Sequence, residues 1–336
     1  MKHRKIGVYD KQNTEPNIQW LKNKFKKIYD DKKVIKTNLI DCMLHNKIDL
    51  HFGTKSDPFQ PQEREKHYTR SITRICNEYE QNIIFTTKSD NYYDVPLNPE
   101  KHSIQLSITN HYNDKFLEPH APPFENRVKF YKQLKDEGFK VGIRFEPFIP
   151  NITDVKKCLE YFEEPDIVHI AKLNLLPQIN HDKLIKYIGC NKKQFITHGK
   201  THMKLDILYN NYLKDVFQYL EDNNYRWSAR NSMFGTENCC CGDKLVHKSN
   251  THDPVHLNRK YEGYWTLEQA LKELEPYKEC NCRNLYTSNR RGDLKTAYEY
   301  YEDRFYRKST SKFTPEFQGV KKQEKTDLQT DLKQYL

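Results

Sequence analysis

The sequence predicts an α/β fold, a partial (βα)6-type TIM-like barrel with a cysteine-rich C-terminal extension. Two observations predict it. From residue 47 onward, short apolar runs alternate with longer segments of helical periodicity, which is typical of parallel strands joined by crossover helices. No glycine-rich phosphate loop follows any of these strands, which favours a barrel over a doubly wound sheet.

The apolar runs predict six or seven strands, at 47–53, 82–87, 103–109, 139–145, 166–171, 194–199 and 225–231. Helical periodicity predicts the segments between them, at 62–80, 124–137, 151–163, 181–188 and 201–223. The residues after the strands are polar and rich in proline, so we expect a ligand-binding rim at the carboxyl ends of the strands.

Composition limits the class of protein. The 336 residues carry a net charge of +10, which favours a polyanionic partner such as nucleic acid, although a solvated lysine-rich surface accounts for most of the lysines. No apolar run reaches the roughly 18 residues that a membrane helix needs. The N-terminus lacks the pattern of a signal peptide, so we expect a cytoplasmic protein with reduced thiols.

The nine cysteines are unevenly placed. Four are solitary within apolar patterns and are predicted to be packed thiols: Cys42, Cys76, Cys158 and Cys190. The other five cluster in a polar segment and predict a zinc site or an auxiliary iron–sulfur cluster: Cys239, Cys240, Cys241, Cys280 and Cys282. We therefore divide the chain into a barrel (1–231), a metal-binding segment (232–290) and a charged helix with a flexible tail (291–336).

Four strand-end segments carry a resemblance to a known family. They are "GTKSDPFQPQE", "IIFTTKS", "IQLSIT" followed by "FLEPHAPP", and "GFKVGIRFEPFIPN", in this order between residues 47 and 151. Together they resemble the spore photoproduct lyase group of radical S-adenosylmethionine enzymes, often labelled DNA repair photolyases. Members of this group generate a 5′-deoxyadenosyl radical that abstracts hydrogen from a substrate.

The resemblance implies a site for S-adenosylmethionine. Ser56 and Asp57 would face its amino group, Lys88 its carboxylate, and Ser107 its carboxylate or ribose. From the residues alone, Asp57 could instead begin a turn and cap the following helix.

Two rim glutamates leave two interpretations open. Glu118 and Glu146 could orient substrate or ribose hydroxyls, or could pair with Arg127 and Arg144. His51, His169 and His198 lie near strand ends and raise a third function, a metal-dependent barrel hydrolase. No His-X-His spacing supports that function, so we expect these histidines to be hydrogen-bonded residues of the core or rim.

One departure from the family is decisive for the chemistry. Radical S-adenosylmethionine enzymes hold a [4Fe–4S] cluster on a Cys-x-x-x-Cys-x-x-Cys loop, and this sequence contains no such spacing. We expect a second polypeptide or a missing exon to supply the first strand and this loop. The alternative is a non-catalytic, metal-stabilised nucleic-acid-binding module on the same barrel.

Overall fold

The computed structural model describes residues 16–35, 38–53, 56–149, 151–175, 181–190, 195–198, 202–205 and 207–229, with residues 268, 269 and 272. The clustered cysteines, and nearly all of the segments 232–290 and 291–336, lie outside these ranges. Within them, no helix is both long and apolar enough to cross a membrane.

A six-stranded, wholly parallel sheet forms the centre of the fold. Its strands are β1 (Leu50–Phe52), β2 (Ile83–Thr87), β3 (His102–Ser107), β4 (Lys140–Phe148), β5 (Ile167–Lys172) and β9 (Trp227–Ala229). Each strand pairs with the next in this order, without the reversal that defines a doubly wound sheet. The predicted α/β barrel-type fold is therefore confirmed.

The helices are α1 (Ile18–Tyr29), α2 (Leu39–His45), α3 (Glu63–Lys66), α4 (Tyr68–Glu78), α5 (Phe124–Asp136), α6 (Val155–Leu159), α7 (Asp182–Tyr187) and α8 (Ile207–Asp222). Two of them, α1 and α2, precede the first strand, where no element was predicted. The predicted stop at Gly138 agrees with the end of α5, and this glycine has a positive φ of 85°.

The single helix predicted over 62–80 is in fact two helices. His67 separates α3 from α4 and has a left-handed φ of 52°. The buried Glu63 carboxylate accepts hydrogen bonds from the backbone N–H groups of Thr69 (2.9 Å) and Arg70 (2.8 Å). Glu63 thus satisfies two donors in the first turn of α4, which helical periodicity alone does not reveal.

A second, smaller sheet corrects two predictions. It is antiparallel in the order β6 (Asn174–Leu175), β8 (His202–Leu205) and β7 (Phe195–His198). The strand predicted at 194–199 exists but does not belong to the parallel sheet. The helix predicted over 201–223 is wrong at 202–205, because pairing of β8 with both neighbours gives those residues a ladder that the sequence does not show.

The two faces of the parallel sheet differ in chemistry. One face is apolar and joins the core cluster with α5, through Phe85, Ile104, Leu106, Ile143, Phe145, Val168 and Ile170. Side chains alternate across a strand, so the intervening positions face the other side. That side carries polar residues, including Thr86, Gln105, Arg144 and His169. In a barrel, ligands bind at the carboxyl ends of the strands rather than on the packed interior, so the residues that follow the strands are the candidates for a site.

Candidate functional site

The turn after β1 approaches β2 so closely that only glycine fits. Gly53 has a φ of 101°, and a Cβ atom on it would lie 2.0 Å from the carbonyl oxygen of Thr86. The left-handed backbone and the close approach each make any other side chain costly at this position. This contact brings the Ser-Asp-Pro turn beside the end of β2.

The Asp57 carboxylate joins that turn to β2. Its oxygens accept hydrogen bonds from the Thr87 hydroxyl (2.7 Å), the backbone N–H of Lys88 (2.7 Å) and the backbone N–H of Phe59 (2.9 Å). Burial raises the pKa of Asp57 despite the opposing effect of these donors. Asp57 therefore fixes the backbone position of Lys88. Its bond to the N–H of Phe59 also forms the turn that the sequence predicted as an alternative role for Asp57. Ser56, beside it, is exposed.

Lys88 and Glu118 form an ion pair across two strand ends. The Lys88 Nζ atom lies 2.5 Å from Glu118 Oε1, which also accepts a hydrogen bond from the Thr109 hydroxyl (2.6 Å). The other oxygen, Oε2, accepts from Arg127 Nη2 at 3.0 Å. The side chains of Glu118 and Arg127 are only 5% and 2% exposed, whereas that of Lys88 is 37% exposed. Of the three, Lys88 is therefore the group that a ligand can reach.

Electrostatics keeps Glu118 ionised. Burial alone would raise its pKa, but the charges of Lys88 and Arg127, with hydrogen bonds from Lys88 and Thr109, outweigh burial and lower the pKa to about 2. Of the two interpretations for Glu118, the structure thus shows the pairing with Arg127, and it shows that Glu118 pairs with Lys88 as well.

Ser107 ends β3 and is buried. Its carbonyl oxygen accepts a hydrogen bond from Arg127 Nη1 at 3.1 Å, so the same guanidinium holds the end of β3 and the Glu118 carboxylate. The five predicted residues at this edge thus fall into two linked groups, the turn with Ser56 and Asp57 and the cluster with Lys88, Ser107 and Glu118. The Lys88 backbone, which Asp57 binds, connects the groups.

A second polar network crosses the inward face below the strand ends. His51 Nε2 lies 2.7 Å from the Thr86 hydroxyl, which donates to Gln105 Oε1 at 2.9 Å. Gln105 Oε1 also accepts from Arg144 Nη1 at 3.0 Å, and Arg144 pairs with Glu146. Glu146, like Glu118, therefore pairs with an arginine, which is one of the two interpretations that the sequence allowed.

The network continues to the last strand. His169 Nε2 lies 3.7 Å from Glu146 Oε2, and His169 Nδ1 lies 2.8 Å from the Ser228 hydroxyl. The interacting side chains thus span all six parallel strands. Sequence analysis did not identify Thr86, Gln105 or Ser228 as site residues. The available signal was that each is a polar residue beside apolar neighbours in a strand, with the alternation of an inward face.

The structure gives no support to a hydrolytic metal site. His51 and His169 lie on β1 and β5, with three strands between them, and each contacts a hydroxyl. Over the ranges that the structure describes, no group of three metal-binding side chains occurs. The side chain of His198 and the five clustered cysteines lie outside those ranges, so the predicted C-terminal metal site stays a prediction.

The residues present fit S-adenosylmethionine better than they fit its iron–sulfur cluster. Lys88 offers a reachable cation for a carboxylate, and Ser56 an exposed hydroxyl. In contrast, Cys42, Cys76 and Cys158 lie on α2, α4 and α6, and all three are buried. Burial raises the pKa of Cys76 to about 12 and that of Cys158 further still, which opposes thiolate formation. These three cysteines do not form a cluster site.

Comparisons with known proteins found few matches. No protein-family model matches the chain. An uncharacterized protein of Methanocaldococcus jannaschii is 29% identical over 129 residues, which cover 37% of this chain. The match spans 50% of that relative's length.

Solved structures give low similarity. A spore photoproduct lyase mutant superposes with a TM-score of 0.41 at 14% identity, over 64% of this chain and 66% of its own. Spore photoproduct lyase complexed with dinucleoside spore photoproduct gives 0.38 at 12% identity, over 54% and 60%. SuiB of Streptococcus suis bound to S-adenosylmethionine gives 0.34 at 13% identity, over 55% and 39%.

Proposed function

We propose that this chain is a radical S-adenosylmethionine-type protein resembling the spore photoproduct lyase group, and that it binds S-adenosylmethionine at the carboxyl ends of β1, β2 and β3. The observation that carries the proposal is the position of Lys88. Asp57 holds the backbone N–H of Lys88 at the end of β2, and the Lys88 cation pairs with Glu118 and still reaches solvent. A pre-positioned lysine is a suitable donor for the methionine carboxylate.

Each residue of the site has a proposed role. Lys88 would bind the carboxylate, the exposed Ser56 would face the amino group, and Ser107 would face the carboxylate or the ribose. Asp57 and Glu118 are positioning residues, because their oxygens are bound to donors of this chain. Glu146 orients Arg144 on the inward face. S-adenosylmethionine held by these residues beside a reduced cluster would supply radical chemistry, the abstraction of hydrogen from a substrate.

The sequence lacks the three-cysteine spacing, so we propose that thiolates from a second polypeptide, a missing exon or the clustered cysteines complete the enzyme. The same observation favours a second function, a non-catalytic nucleic-acid-binding module on the same barrel. In both functions we propose nucleic acid as the partner, on the basis of the net charge of +10.

Anaerobic purification of the full chain tests the proposal. Iron, sulfide and zinc are quantified per chain, and S-adenosylmethionine binding is measured by calorimetry. About four irons and four sulfides, with reductive cleavage of the cofactor, would support an enzyme as the chain stands. Cofactor binding with zinc alone would support a barrel that needs its cluster from elsewhere. No cofactor binding in either metal state would overturn the proposal.

A further inference from the structure

Three exposed aromatic side chains lie close to the proposed site, on the loop after β3 and on α7. Tyr112, Phe116 and Tyr187 are 43%, 49% and 46% exposed, and we call them the rim aromatic cluster. The rings of Phe116 and Tyr187 lie 4.3 Å apart between centroids with an interplanar angle of 31°. Large exposed rings are costly to solvate, so a group of them on a loop indicates a binding surface.

One buried carboxylate, that of Asp114, holds Phe116 and Tyr187 of the cluster in place. Asp114 Oδ1 accepts hydrogen bonds from the backbone N–H groups of Phe116 and Leu117, both at 2.9 Å. Asp114 Oδ2 accepts from the Tyr187 hydroxyl at 2.7 Å. This last bond, with a smaller effect of burial, raises the pKa of Tyr187 to about 12, so the ring stays neutral at physiological pH. Pre-organised rings lose little entropy when a ligand stacks on them.

A buried donor in the same loop has no acceptor within the described part of the chain. Asn110 is fully buried and accepts a hydrogen bond from the backbone N–H of Tyr112 at 3.2 Å. Its Nδ2 group finds no partner among the residues that the structure describes, and neither does Nδ1 of the neighbouring His111. Buried amide donors nearly always have an acceptor. We therefore expect an acceptor to reach this loop from outside the described residues.

Charge around the cluster favours an anionic ligand. Three exposed lysines lie on the same loop and helix, Lys115, Lys183 and Lys186, against two exposed acids, Asp182 on α7 and Glu125, which accepts a hydrogen bond from Asn113 of the loop. The whole chain has a net charge of +10. Lysines beside exposed rings match a polymer that alternates flat bases with phosphates.

We infer that the rim aromatic cluster is a stacking platform for the unpaired bases of a single-stranded nucleic acid. Phe116, Tyr187 and Tyr112 would offer ring faces and edges to successive bases, and the flanking lysines would contact phosphates. Base stacking tolerates any sequence, since every base has a π-face. The inference deepens the proposed function, on whose nucleic-acid partner it rests, but it requires neither S-adenosylmethionine nor a cluster.

The test is fluorescence anisotropy of the full chain with a labelled poly-dT oligonucleotide of about 12 nucleotides. We expect Phe116→Ala and Tyr112→Ala each to raise the Kd roughly 5- to 100-fold. Trp20→Ala is the matched control, because Trp20 on α1 is also 49% exposed but lies on a different element. It should leave the Kd unchanged.

An abasic oligonucleotide of the same length separates stacking from charge. It keeps the phosphates, so the inference predicts weaker binding by the wild-type chain and no further loss with Phe116→Ala. Equal binding of the two oligonucleotides, equal Kd values for all three variants, or no binding by the wild type would each overturn the inference. A parallel titration with S-adenosylmethionine reports on the proposed function separately, because Phe116→Ala should not change it.

Discussion

The Lys88 ammonium lies 2.5 Å from the Glu118 carboxylate, although Lys88 follows β2 and Glu118 lies in the loop after β3. The pair therefore joins two neighbouring strand ends of the parallel sheet. Glu118 is itself held by Arg127 and Thr109. The consequence is a lysine with a fixed position at the edge of the sheet where barrels bind their ligands.

Glu118→Gln should lower the free energy of unfolding. The substitution keeps the shape but removes the charge that neutralises the buried Arg127. We expect a loss of about 2 to 4 kcal/mol, since breaking a buried pair is costly while Lys88 can still turn toward solvent. Urea unfolding measures the change.

The matched control is Glu163→Gln. Glu163 pairs with Lys132 at 3.7 Å, and both side chains are largely exposed. Its loss should be below about 1 kcal/mol. Equal losses for Glu118→Gln and Glu163→Gln would mean that the Glu118 cluster does not hold the strand ends together.

Acid should weaken the protein through the same carboxylate. The folded pKa of Glu118 is about 2, below its ordinary value of 4.5. The stabilisation is therefore fully present above the unfolded pKa and is lost as pH falls from about 4.5 towards 2. Urea midpoints between pH values of about 6 and 3 should show the wild type converging on Glu118→Gln. A constant gap between the two proteins over that range would contradict this assignment.

Gly53→Ala should destabilise the turn after β1. The added Cβ would meet the Thr86 carbonyl oxygen at 2.0 Å. Gly138→Ala is the control, because Gly138 also has a positive φ but faces open space. Backbone strain alone should cost that control roughly 1 to 2 kcal/mol. We expect Gly53→Ala to lose at least about 2 kcal/mol more in thermal unfolding, and similar losses would refute the close approach.

Asp57→Asn should change the position of Lys88, although Asp57 itself is not proposed to contact the cofactor. The amide nitrogen that replaces one oxygen cannot accept from the Thr87 hydroxyl or from a backbone N–H group. We expect about 1 to 3 kcal/mol lower stability and weaker S-adenosylmethionine binding. Asp90→Asn is the control, since within the described ranges the Asp90 carboxylate accepts a single hydrogen bond, an exposed one from Asn126. Unchanged cofactor binding in Asp57→Asn would show that Asp57 does not position Lys88.

Strand positions were largely predictable because β2 and β4 are short runs that combine buried β-branched and aromatic residues, and β3 is a short run with apolar residues at alternate positions. The error at 202–205 has a physical cause. The local pattern suits the following helix, and only the pairing of β8 with β6 and β7 makes those residues a strand. Tertiary pairing of this kind is not encoded in local periodicity.

The site was predictable in part. The motif order identified Asp57, Lys88 and Glu118, and pairing of Glu118 with Arg127 was one of two interpretations. The contribution of Thr109 and the approach of Lys88 depend on the register of β2 against β3, which local sequence does not determine. Thr86, Gln105 and Ser228 of the inward network were missed, although alternation along their strands marks them as facing away from the apolar core.

The central claim is that Lys88 binds the carboxylate of S-adenosylmethionine. Calorimetry with S-adenosylmethionine and with its decarboxylated form tests it directly, using the wild-type chain, Lys88→Met and the exposed-lysine control Lys129→Met. We predict that Lys88→Met weakens binding of S-adenosylmethionine roughly 10- to 150-fold and leaves binding of the decarboxylated form unchanged. Equal effects on the two ligands, or no binding of S-adenosylmethionine by the wild-type chain, would contradict the claim.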